Sequence, residues 1–60
     1  MRYGELIMEI TKCVYSHNMW SVIERKTVEW TRYSVVRFGS VFYEHTFKTL
    51  IEAIDFCDSN

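Results

Sequence analysis

Gly39 and Ser40 sit between two runs rich in β-branched and aromatic residues, "TVEWTRYSVVRF" before them and "VFYEHTF" after. Gly followed by Ser in that setting signals a two-residue hairpin loop with glycine at its first position, where a positive φ costs it nothing. Such a turn sets a register. Phe38 then opposes Val41, Val36 opposes Tyr43, Ser34 opposes His45 and Arg32 opposes Phe47. These share one face, because side chains alternate along a strand. The other face carries Arg37 opposite Phe42, Val35 opposite Glu44 and Tyr33 opposite Thr46. The first face is expected to be the core, and the second, only half polar, to look outward.

The stretch that follows, "FKTLIEAIDFCD", has helical character throughout. Thr49 three residues before Glu52 is a capping box, in which hydroxyl and carboxylate satisfy free N–H groups of the first turn. Leu50, Ala53, Ile54 and Cys57 recur at helix spacing and form a stripe that can lie on a sheet, leaving Asp55 and Asp58 to solvent. Upstream, "MWSVIE" is short, aromatic and β-branched, as a strand should be. Residues 5–16, "ELIMEITKCVYS", fit two periods. Leu6, Ile7, Ile10, Cys13 and Val14 share a helical face with His17, while Leu6, Met8, Ile10 and Val14 also align with period two. Length and the Asn18 stop favour a helix. The expected fold class is therefore α+β, one domain over residues 1–60. A three-stranded antiparallel meander is packed by a C-terminal helix and preceded by an N-terminal helix, in the order αβββα. A fourth strand at the N-terminus is the alternative.

Sixty residues bury only about 60% of the surface their unfolded chain exposes, so such a domain gains from a partner, a staple or unusually good packing. Almost half the residues are apolar and ten are aromatic, too hydrophobic a balance for disorder. No apolar run approaches the roughly 20 residues that cross a bilayer, and the N-terminus lacks the pattern of a secretory leader. A soluble, cytoplasmic protein with no membrane contact is the expectation. Net charge is −1, so the molecule as a whole offers no basic field for nucleic acid, although the middle of the chain is mildly positive.

Little in the chain suggests catalysis. There is no Gly-rich phosphate loop and no evident nucleophile, base and acid arrangement, and the carboxylates are scattered. A non-enzymatic protein without a cofactor is expected. Cys13 and His17, four apart, have ligand spacing on a helix, and His45 with Cys57 could complete a Cys2His2 set. The second pair lacks the short knuckle spacing of zinc motifs, so no metal site is assigned and two buried thiols are expected instead. A disulfide joining the two cysteines is the alternative in an oxidising compartment.

The aromatic excess is more informative. A sheet covered on one side leaves a second face to water, and there Trp30, Tyr33, Val35 and Phe42, rimmed by Arg37 and Glu44, would form a partner surface. A protein partner, including a second copy of the chain, suits aromatic anchors with a mixed-charge rim. A nucleic-acid partner gripped by Arg25, Arg32 and Arg37 is the second choice, since Glu24, Glu29 and Glu44 cancel much of the cationic charge.

Phe47, Thr49, Glu52 and Ala53, followed by Phe56 and Asp58, resemble the end of the AP2-type DNA-binding domain and of the related arm-binding domains of phage integrases. The "YSVVRFGSVF" before them resembles the strand-turn-strand segment of the same families. That resemblance implies three antiparallel strands followed by one helix, with the sheet entering a DNA groove. Here the family's dense Arg and Lys run on the strands is reduced to Arg25, Arg32 and Arg37. In size and irregular composition the chain is also similar to small bacteriophage accessory proteins, many of which bind and inhibit a host protein.

Overall fold

A computed structural model describes residues 8–40 and 42–60. Within them the chain forms β1 (Ile10–His17), β2 (Trp20–Lys26), β3 (Thr31–Arg37), β4 (Tyr43–Phe47) and α1 (Leu50–Ser59). The strands make one antiparallel sheet in sequence order, and α1 crosses one face of it. The α+β class and the C-terminal helix agree with expectation. The strand count does not: Ile10–His17 is a strand where length and the Asn18 stop favour a helix. Its residues satisfy both periods, and pairing with β2 along the whole of β1 decides between them. Glu5, Leu6 and Ile7, the start of the expected N-terminal helix, lie outside the described residues, as does the Phe38–Val41 pair.

Each connection has a local cause. Asn18, at φ 55, takes the left-handed position of the two-residue loop between β1 and β2, which Asn tolerates better than most residues. Between β2 and β3, the buried Thr27 hydroxyl accepts the N–H groups of Glu29 and Trp30, each at 3.1 Å, and folds the loop around its own side chain. At the β3–β4 turn the Ser40 N–H donates to the Arg37 carbonyl at 2.9 Å, and Gly39 has φ 87. Glycine thus occupies the third turn position, as in a type II turn, and the central pair is Phe38-Gly39 rather than Gly39-Ser40.

The pairing of Val36 with Tyr43 is as the hairpin rule requires, but the register then slips by one. Glu44 is an extra residue, so Val35 opposes His45, Ser34 opposes Thr46 and Tyr33 opposes Phe47. A matching bulge in β1 makes Val14 the extra residue between Cys13, opposite Ile23, and Tyr15, opposite Val22. Both bulges lie in edge strands, where one unpaired residue disturbs the ladder least.

The core lies on the face opposite to the one expected. Val22 and Val35, directly opposed on the two central strands, are fully buried under Ala53 and Cys57 of α1. Small residues one turn apart let the helix settle close to the sheet. Phe56 flanks them, 5.2 Å from Trp20 edge to face, 4.4 Å from His45 and 5.8 Å from Phe47, measured between ring centroids. It contributes more to this contact than the expected stripe residue Ile54, which is absent from the core cluster.

Thr49 caps the helix by accepting the Glu52 N–H at 3.3 Å, and its hydroxyl donates to the Glu52 carboxylate at 3.0 Å. The box is closed side chain to side chain instead of through the Thr49 backbone. At the other end Asp58, expected to be left to solvent, accepts the Tyr15 hydroxyl at 2.7 Å and ties α1 to β1. That hydrogen bond, together with burial, raises the Tyr15 pKa above its ordinary value. No helix in the described residues is long and apolar enough to cross a membrane.

Candidate functional site: the helix-free face of the sheet

With α1 on one side, the face that remains is built by Ser21, Ile23 and Arg25 of β2, Arg32, Ser34 and Val36 of β3, and Tyr43 and Thr46 of β4. Alternation assigns the central strands, and the Glu44 bulge turns Tyr43 to this side while His45 and Phe47 stay with the helix. Trp30, two residues before Arg32, stands at its end.

Arg25, next to the last residue of β2, reaches across this face toward β4. Its guanidinium carbon is 4.6 Å from the Tyr43 ring centroid and 5.8 Å from that of Trp30, and Arg32 approaches Trp30 at 5.6 Å. The order Tyr43, Arg25, Trp30, Arg32 alternates aromatic ring and guanidinium, each contact within cation–π range. Beneath it Ser34, at 0% exposure, is the most enclosed polar residue of the face. Burial of a hydroxyl is tolerable only when it is hydrogen-bonded. The Ser34 hydroxyl meets that condition by accepting from Arg25 Nη1 at 3.2 Å and pairing with Thr46 Oγ1 at 3.1 Å. The long side chains of this face form a thin second layer in place of a second helix.

Arg25 is also held in an ion pair. Its Nε donates to one Glu9 carboxylate oxygen at 2.7 Å and its Nη2 to the other at 3.3 Å, a two-point arrangement matched to the guanidinium fork. The Arg25 hydrogen bond holds the Glu9 carboxyl below its usual value, and Glu9 in turn raises the Arg25 pKa. Arg25 and Arg32 are direct cross-strand partners. Like charges so placed repel.

The expected partner residues are divided by this geometry. Trp30 lies on the helix-free face. Val35 does not: it is fully buried beneath α1, and Tyr33 packs against the same core with its hydroxyl 3.4 Å from Glu24. Arg37 is on the helix side too, 5.7 Å from the Trp20 ring. Phe42 is exposed in the β3–β4 loop and Glu44 is the exposed bulge residue. Of the three arginines weighed for nucleic acid, Arg25 and Arg32 meet on one face and Arg37 is on the other. The hairpin pattern places Tyr43 with the expected core, and it is instead an end of the aromatic and arginine series. The signal for it lay in β2, whose Trp20 and Val22 must face the helix, so that Arg25 and its neighbours turn away from it.

The cysteines are likewise on opposite faces. Cys13 is exposed opposite Ile23 and Cys57 is buried on the sheet-facing side of α1, both as free thiols, so the Cys2His2 set and the disulfide are not assembled. Cys13 thus departs from the expected buried pair. Burial raises the Cys57 pKa. Among the described residues no cluster of three or more His, Cys, Asp or Glu side chains is placed to hold a metal ion.

No family model, curated protein or solved structure matches the chain.

Proposed function

We propose that this chain is a non-enzymatic protein-binding module that grips a protein partner, or a second copy of itself, with the helix-free face of its sheet. The observation that carries the reading is the series Tyr43, Arg25, Trp30 and Arg32. Tyr, Trp and Arg are the residues that dominate binding energy at protein interfaces, where they cluster at the centre of the contact. The balance of apolar surface supports it. Among the described residues four hydrophobic side chains are buried, whereas eight large ones are exposed, Phe38 at 81% and Phe42 at 75% among them. A fold with so small a core gains stability from any partner that binds the native state. An accessory or inhibitory role toward a host protein, as the bacteriophage likeness implies, would use the same face.

Nucleic-acid binding is the second reading, favoured by the same interleaving of rings and guanidinium groups, on which bases can stack. Strands β2 to β4 followed by α1 keep the order on which the AP2-type resemblance rests. Against it, Glu9 neutralises Arg25, and Arg37 lies on the far side.

Photo-crosslinking tests the choice. A photoreactive phenylalanine analogue replacing Tyr43 should give one discrete protein adduct in producing cells, a chain dimer or a heterologous partner, whereas the same analogue replacing the exposed Ile51 should not. No adduct from Tyr43, or equal labelling from both positions, overturns the reading. An adduct to nucleic acid selects the second one.

A further inference from the structure

The helix-free face holds an incomplete charge arrangement. Arg25 and Arg32 stand directly opposite each other on β2 and β3, each within cation–π distance of the Trp30 ring, and Glu9 fills the fork of Arg25 alone. Arg32 donates from Nη1 to the Thr31 carbonyl at 3.0 Å, and among the described residues no carboxylate pairs with it. Among the described residues, two guanidinium groups and one carboxylate leave one positive charge in excess on a face otherwise lined by hydroxyl and apolar groups. Glu9 demonstrates what this surface accepts: a carboxylate, taken at two points, beside a stacked ring.

Building on the protein-binding reading, we propose that the partner is an acidic protein segment, one carboxylate of which seats on Arg32 against the edge of Trp30. That carboxylate does for Arg32 what Glu9 does for Arg25. It offsets the repulsion of the cross-strand pair and gives each guanidinium a carboxylate of its own. Glu9 then also has a second effect. By occupying Arg25 it confines the incoming carboxylate to Arg32, so removal of its charge opens a second place for an acid.

The probe is a polyglutamate peptide, titrated at low ionic strength into the full chain while the Trp30 indole N–H resonance is followed by NMR. Saturable binding is expected, weakening as salt is raised. Arg32→Gln should weaken it by about tenfold or more, as loss of a charge-assisted pair does, whereas Arg37→Gln, on the other face, should change it by less than about twofold. Glu9→Gln should tighten it by roughly threefold or more through the opened Arg25 fork. If Arg32→Gln unfolds the chain, Arg32→Lys, which keeps the charge and loses the planar fork, carries the same test with a smaller loss. The proposal is overturned by absence of saturable binding, by equal losses in the Arg32 and Arg37 variants, or by no gain from Glu9→Gln. Tighter binding of an oligothymidylate of similar charge overturns it in favour of nucleic acid. Failure here together with a discrete protein adduct from Tyr43 removes only the acidic character of the partner, and the protein-binding reading stands.

Discussion

Substitution of either of two adjacent valines distinguishes the two ways in which β3 could face. Val35 is fully buried between Val22 and the Ala53–Cys57 stripe, while Val36 is only half-buried on the helix-free face. Val35→Ala removes two methyl groups from a closed site, about 1.6 kcal/mol of transfer free energy at ~0.8 kcal/mol per group. The cavity left under a helix that cannot fully collapse adds about 1 kcal/mol, for a total of roughly 2–3 kcal/mol. Val36→Ala removes the same groups from a site solvent already reaches, with little cavity, and should cost about 1 kcal/mol. A chain of this length has a total stability of about 3–9 kcal/mol, so both variants remain measurable at low temperature. At about 4–8 °C per kcal/mol for a domain of this size, Val35→Ala should melt roughly 5–15 °C below Val36→Ala. Far-UV circular dichroism melts and urea titrations of the two proteins suffice. Equal midpoints, or a lower one for Val36→Ala, would refute the placement of α1 on the Val35 face and with it the location proposed for partner binding.

Three further outcomes are expected. Thr49→Ala deletes the hydroxyl that accepts the Glu52 N–H and should lower stability by about 1 kcal/mol, with Thr49→Ser close to the parent by the same melts. Glu9 is held below the ordinary carboxylate value of 4.5, so its contribution is complete above that pH and is lost as pH falls through the lower folded-state value. The stability difference between the parent chain and Glu9→Gln, read from urea midpoints, should therefore shrink on acidification. A maleimide reagent should label the exposed Cys13 in the native protein at once and the buried Cys57 only at the rate of global opening, with a single early adduct by mass spectrometry.

Local chemistry was the most legible part of this fold. The Thr49 cap, the helix after it, the β character of residues 20–47 and the Val36–Tyr43 pair each follow from a few neighbouring residues, and all are present. What the local pattern leaves open is which face of a two-sided strand the helix covers. In β3, Tyr33 and Val35 on one side compete with Ser34 and Val36 on the other, and the β3–β4 hairpin alone favours the second set because it adds Tyr43 and Phe47. The decision comes from the other central strand. Thr27 and Trp30 close a four-residue loop that sets Val22 against Val35, and only on that side does a contiguous apolar patch await Ala53 and Cys57. The helix-free face was legible in kind, as an uncovered side that carries aromatic groups and arginine. Its membership was not, since the expected register keeps His45 and Phe47 on the Tyr43 side, and the bulge that separates them leaves no firm mark in composition.

The two bulges also bear on how such a chain tolerates change. Val14 and Glu44 are places where length matters more than chemistry: each shifts the phase of an edge strand by half a pleat. Glu44 is solvent-exposed, and almost any side chain can stand there. Its deletion, however, would turn Tyr43 toward the helix or swing His45 and Phe47 away from Phe56. The same loss at Val14 would withdraw Tyr15 from Asp58. Variation along these margins can therefore be free in residue type and strict in residue number, so that one codon more or less, rather than any exchange of side chain, decides whether the two faces of the sheet keep their separate memberships.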